Sequence, residues 1–133
     1  MEDCRFYPKM GEKLKEIIGV GSKLVYIPAP LWEGVEDKFF DTIVSCFGAL
    51  GIRFDEVVRV LPNQKTSIGE VDEKTVFFLM GGSPINQMEI IQKNDLKEIL
   101  KSHRGLAIGF LCWGYQFIEI FYNYYGFGFF GKV

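Results

Sequence analysis

The residues whose types could do chemistry gather at two points of the chain. The first is Gly109-Phe110-Leu111-Cys112-Trp113-Gly114-Tyr115-Gln116, which closes an apolar segment, Gly105 to Phe110, with the character of a buried strand. A sulfur at a strand-to-helix corner would be exposed, and the helix N-terminus with a nearby imidazole would favour its thiolate. The chain holds one histidine, His103, and it precedes this corner at the end of a helical segment. It is expected on the opposite side of the sheet from the reactive edge, as a solvated helix-end residue favourable to the dipole. The second point is Gly81-Gly82-Ser83-Pro84, a tight turn after a strand, where paired glycines let backbone N–H groups approach a ligand closely. Asp37, Asp41, Asp55, Glu56, Asp72, Glu73, Asp95 and Glu98 suit solvated helix faces and turns and form no convincing pair for acid/base work. Cys4, Cys46 and Cys112 are odd in number, widely spaced and without a Cys-x-x-Cys pair. They read as reduced thiols, one or two of them buried, and no metal site is expected.

Positioning those points falls to a short series of elements. Met10, Leu14, Ile17 and Ile18 give Lys9 to Ile18 one helical face, stopped by Gly19-Val20-Gly21. Lys23 to Ile27 is a compact strand ended by Pro28-Ala29-Pro30. Val35 to Leu50 repeats apolar residues at Phe39, Phe40, Ile43, Val44, Phe47 and Leu50, and Gly51 is a natural helix stop. Phe54 to Leu61 reads as a strand closed by Pro62. Thr75 to Met80 is continuously apolar and suits a central strand buried on both faces. Ile85 to Ser102 reads as one long helix or two short ones, with Met88, Ile91, Leu96, Ile99 and Leu100 inward. Strand, helix, strand, strand, helix, strand is the grammar of an open parallel sheet covered by helices on both sides. In such sheets the chemistry sits beyond the C-terminal ends of the strands, which points to Pro28–Trp32, Gly81–Pro84 and the corner after Phe110.

The length, 133 residues, predicts one small domain, and 48% hydrophobic residues suffice for a core. A net charge of −2, with Lys and Arg scattered, gives no footprint for nucleic acid. Met1 to Arg5 opens acidic and lacks a long apolar run, so no signal peptide is expected. The longest uncharged run, Gly105 to Ile118, is too short to span a bilayer, which takes about 20 apolar residues. The expectation is a cytoplasmic protein with no membrane or nucleic-acid partner, no cofactor and no metal. Met80 and Met88 are expected in the core.

Four groups of segments together resemble a known family. They are Lys23-Leu-Val-Tyr-Ile-Pro-Ala29; Phe47-Gly-Ala-Leu-Gly-Ile52 with Phe54-Asp-Glu-Val-Val58; Phe78-Leu-Met-Gly-Gly-Ser-Pro84 with Gln87; and Asp95-Leu-Lys-Glu-Ile-Leu100 with Gly105-Leu-Ala-Ile-Gly109. They are similar to the dipeptidase E (α-aspartyl dipeptidase) family of serine peptidases, relatives of cyanophycinase that share a fold with class I glutamine amidotransferases. The likeness covers residues 9–110, with an atypical aromatic tail over 113–133. It implies a flavodoxin-like three-layer α/β domain with a mostly parallel sheet, glutamine amidotransferase-like and incomplete at its C-terminus. It also implies hydrolysis of small peptides, typically with an N-terminal aspartate, by a Ser-His-acid mechanism without metal. Members carry Gly-x-Ser-Ala-Gly-Ala at the end of the strand, a strained elbow that presents the serine. Backbone N–H groups there and at Gly81, Gly82 and Ser83 would hold the oxyanion.

This chain departs from that pattern where it matters most. The serine position is Leu111, which has no nucleophilic atom, and Trp113 would crowd the elbow. Met1 to Pro8 is a poor first strand, and the family's downstream histidine and acid have no counterpart before Val133. One encoding of Phe110 to Phe117, read with a single base removed, gives Phe-Ser-Ala-Gly-Ala-Ile-Asn, so a slipped reading frame near Phe110 would account for the departure. The aromatic tail, which lacks helical or strand period, agrees with that. The expectation is a truncated homologue without peptidase activity. Two alternatives stay open. Cys112-Trp-Gly-Tyr-Gln116 resembles the Cys-x-Gly-x-Gln elbow of class I glutamine amidotransferases, in which Cys112 would be the nucleophile that releases ammonia from glutamine. Or the chain is a noncatalytic α/β domain that self-associates into a homo-oligomer through its aromatic tail and an unpaired sheet edge.

Overall fold

A computed structural model describes residues 8–30, 35–80, 83–113 and 116–122. The elements follow the expected order. They are α1 (Pro8–Ile17), β1 (Lys23–Ile27), α2 (Val35–Ala49), β2 (Glu56–Arg59), β3 (Thr75–Leu79), α3 (Pro84–Lys93), α4 (Lys97–Ser102), β4 (Ala107–Trp113) and β5 (Gln116–Tyr122). The strands form one sheet in the order β2-β1-β3-β4-β5. The first four are parallel, and β5 returns antiparallel along β4. The result is an α/β architecture compatible with a flavodoxin-like fold.

Alternation along the strands sorts the core into two halves. Leu24, Tyr26, Val76, Phe78 and Ile108 face α1 and α2, where Leu14, Cys46 and Phe47 meet them. Val25, Ile27, Phe77 and Leu79 face the other way, against Ile90 and Ile91 of α3 and Leu100 of α4. Each fully buried Leu, Ile or Phe stabilises the fold by about 1.5–3 kcal/mol. The central strand β3 is buried along its whole length, as its unbroken apolar run predicts.

The stretch from Ile85 to Ser102 resolves into two helices. Asn94 ends α3, and its side chain donates from Nδ2 to the Ile90 carbonyl at 2.8 Å. Asp95 follows with φ of 55°, a left-handed conformation that Asp tolerates better than most residues. Met88, expected in the core, is 40% exposed, because α3 turns Ile90 and Ile91 inward instead.

At the N-terminal end of the sheet, Lys23 holds the loop that leads into β3. Its Nζ donates to the carbonyls of Ile68 and Glu70, the latter at 3.0 Å, and lies 3.8 Å from Glu56 Oε1. Gly69 between them has φ of +73°, and a Cβ there would stand 3.0 Å from Nζ. At the other end Arg59 ties β2 to α2 through its ion pair with Asp37, and its guanidinium lies 5.0 Å from the Phe40 ring centroid.

Two expectations need correcting. Gln116–Tyr122, read as tail without period, is a strand in full register with β4, from Trp113↔Gln116 to Ala107↔Tyr122. Phe, Ile and Tyr fit a pleated surface well, and this local preference prevails over the missing alternation. The outer edge of β4 is therefore paired, not open. The second correction is Cys46, which is buried and disulfide-bonded instead of a free thiol. The remaining tail, 123–133, lies outside the described residues.

Candidate functional site

The strand order reverses direction between β1 and β3, so the crevice beyond their C-terminal ends is where an open α/β sheet offers a site. The loops at this edge are stitched together. Met80 N–H donates to the Ile27 carbonyl at 2.9 Å, and Ser83 N–H to the Ala29 carbonyl at 3.0 Å. Gln87 Nε2 reaches back from α3 to donate to both strand ends, to Met80 O at 3.0 Å and Ile27 O at 3.3 Å. Asn86 Nδ2 donates to Pro30 O at 2.7 Å. The turn after β3 is thus pinned to the turn after β1 by two carboxamides one residue apart.

Ser83 forms the N-cap of α3. Its backbone is extended, its Oγ accepts from Asn86 N–H at 3.1 Å, and Pro84 follows at the first helical position. Of the expected oxyanion loop, Ser83 is therefore occupied as a helix cap, while Gly81 and Gly82 lie outside the described residues. Pro84 has no N–H, Asn86 N–H is capped and Gln87 N–H donates to Ser83 O, so among the described residues of the first turn of α3 only Ile85 N–H is left to favour negative charge at this edge.

Leu111 and Cys112 lie in the outer half of β4. The ladder with β3 ends at Gly109, and the backbone runs on through Phe110↔Glu119, Leu111↔Ile118 and Cys112↔Phe117. A strand pair thus stands where a strand-to-helix elbow was expected. An elbow needs small residues that permit a strained bend, and Leu111-Cys112-Trp113 offers none.

His103 sits at the opposite end of the sheet, as expected, but it is buried, not solvated. Its Nε2 lies 2.8 Å from the Thr75 carbonyl. A carbonyl only accepts, so Nε2 carries the hydrogen. The ring packs edge-on against Phe77, with centroids 4.8 Å apart. Gly105 allows this packing, since a Cβ there would lie 2.5 Å from the Glu73 carbonyl and 2.8 Å from His103 Nε2. Burial lowers the imidazole pKa below its ordinary value of 6.5, opposed by backbone hydrogen bonding to Thr75 and Leu106 and by Asp72. Thr75 starts β3 at the level of Gly105, and seven residues of extended chain separate that level from Cys112. At strand rise this is roughly 20 Å, far beyond proton-transfer reach.

A feature that the sequence reading did not single out is a cleft of about 600 Å³ beside this edge. It is lined by Pro30 after β1, Pro62 and Asn63 after β2, and Asn86, Glu89, Ile90, Gln92 and Lys93 of α3. Asn86, Glu89, Ile90 and Lys93 follow helical spacing and share one face of α3. The one signal in the sequence was Pro62-Asn63 directly after a strand, a fourth C-terminal-edge loop equivalent to the three considered. No group of His, Cys, Asp or Glu able to hold a metal occurs among the described residues. No helix among them is long and apolar enough to cross a membrane.

Compared with known proteins, the chain matches no family model, no curated protein and no solved structure.

Proposed function

We propose that this chain is a catalytically silent member of the dipeptidase E group, a hydrolase platform without the nucleophile and proton relay that the active members use. The observation that carries this reading is the double reach of Gln87, which donates from α3 to Ile27 O and Met80 O and so fastens the ends of β1 and β3 together. The resemblance to the family includes this glutamine at its spacing from the glycine pair. The parallel order of β2, β1, β3 and β4 supports the same reading, since it sets the turn after β3 beside the strand that bears the nucleophile position. That position is Leu111, and the one imidazole of the chain is held by the Thr75 carbonyl at the far end of the sheet.

The thiol of Cys112 is not favoured as a substitute. A cysteine nucleophile of the glutamine-hydrolysing kind needs an imidazole beside it, and His103 lies roughly 20 Å away along the strand direction. The intact relatives would act on small peptides; this chain retains the scaffold for such a site and no chemistry.

The test is an assay of the purified chain on an aspartyl dipeptide and, separately, on glutamine. Neither is expected to turn over above the buffer rate. Leu111→Ser is expected to stay inactive too, because a serine without a base is a weak nucleophile. Hydrolysis by the native chain that Cys112→Ser abolishes would replace this reading by the cysteine one.

A further inference from the structure

We propose that the cleft between α3 and the turns after β1 and β2 binds a small zwitterion, an α-amino acid with a short side chain.

The walls are held by interactions made within the protein. Asn86 spends its Nδ2 on Pro30 O at 2.7 Å, which sets the first wall. The turn after β2 is tied to the end of α3 by the buried Asn94, whose Oδ1 accepts from Thr66 N–H at 2.6 Å. Lys65 adds an ion pair to Asp95 at 3.0 Å, and Thr66 Oγ1 accepts from Leu61 N–H at 3.1 Å. The cleft is therefore formed before any ligand arrives, so binding does not have to order the walls.

The lining left over after those bonds has a definite chemistry. Glu89 and Lys93 stand one turn apart on α3, a spacing at which opposite charges commonly pair. Here both line the cleft, and neither makes an ion pair or hydrogen bond with any described residue. The carboxamides of Asn63 and Gln92 are likewise uncommitted. Ile90 is the buried apolar floor between the two charges. A carboxylate and an ammonium with opposite charges about 6 Å apart along the helix axis complement a ligand that carries both signs on neighbouring atoms. A simple anion would meet Glu89, and a simple cation would meet Lys93, so each alone is disfavoured. Carboxamides beside them can donate to the ligand carboxylate and accept from its ammonium. The short aliphatic group of the ligand would rest on Ile90 and the two proline rings.

This site is distinct from the nucleophile position. Leu111 lies in β4, two strands away from β1 in the sheet order, which is roughly 10 Å across the sheet. The proposal does not depend on the silent-peptidase reading: peptide turnover would overturn that reading and leave this one intact.

The experiment is an amide NMR titration of the full chain with L-alanine, beside N-acetyl-L-alanine, which lacks the ammonium, and L-alaninamide, which lacks the carboxylate. The cleft is open and polar, so a Kd in the millimolar range, about −4 kcal/mol, is expected. Shifts should fall on residues 63 and 86–93, and each capped analogue should bind at least about fivefold more weakly, the size expected for a partly exposed charge contact. Glu89→Gln and Lys93→Met are solvent-facing changes that leave the core untouched. Each should weaken L-alanine by a similar factor with an unchanged circular dichroism spectrum. No shifts up to about 100 mM L-alanine, shifts away from the cleft, equal binding of the capped analogues, or native affinity in both variants would each overturn the proposal.

Discussion

His103 illustrates how one side chain can be placed by its neighbours and not by its own solubility. An imidazole at a helix end would ordinarily face water, yet this one is buried on Phe77 with its Nε2–H directed to Thr75 O. Folding lowers its pKa, so between that lowered value and 6.5 the unfolded chain binds more protons than the folded one. Its contribution to stability is therefore fully present above pH 6.5 and is lost as the pH falls through that window. Urea denaturation midpoints should stay level from about pH 8 to 7 and decline below about 6.5. His103→Gln, which keeps a donor for the Thr75 carbonyl and does not titrate, should flatten that decline. His103→Ala should cost about 1–3 kcal/mol at neutral pH, because it leaves a buried carbonyl without its partner.

At the scale of elements, the secondary structure was legible where local pattern and burial agree. After their first residues, Lys23 and Thr75, the β1 and β3 runs are unbroken and buried inside the sheet, so composition alone marks them. The break between α3 and α4 was legible only as an ambiguity. It depends on Asn94 turning its side chain onto Ile90 O and on Asp95 taking a positive φ, and neither shows in hydrophobic spacing. The hairpin of β4 and β5 was not foreseen, because the likeness upstream of Phe110 set the expectation downstream of it. The cleft escaped notice for a different reason. Its lining comes from three segments distant in the chain, and only the parallel order of β1 and β2 with α3 packed across them brings these together. Ser83 was read as part of a ligand-binding turn, and it serves as the N-cap of α3. Ser83→Ala should therefore destabilise the protein by about 1 kcal/mol, as removal of an N-cap does. Ser83→Asp should retain most of that stability in thermal melts, since its carboxylate caps the same N–H and suits the helix dipole.

Across the whole molecule, the two ends of the sheet are organised differently. The C-terminal end carries the turns, the cap of α3, the cleft and the open carboxamides, while the N-terminal end is closed by His103 and Lys23. An edge that carries an open cleft, opposed to a closed edge, is the division expected of a parallel sheet. The Lys23 closure carries a consequence for covalent reactivity. Amine acylation requires a neutral, accessible lone pair. The ammonium of Lys23 is engaged by the carbonyls of Ile68 and Glu70 and its side chain is only 13% exposed, whereas that of Lys65 is 67% exposed. Treatment of the native protein with an N-hydroxysuccinimide ester should modify Lys65 early and Lys23 late, as read by peptide mass spectrometry. Unfolding in urea should erase the difference, so that the lag at Lys23 becomes a direct clock for opening of that end of the sheet.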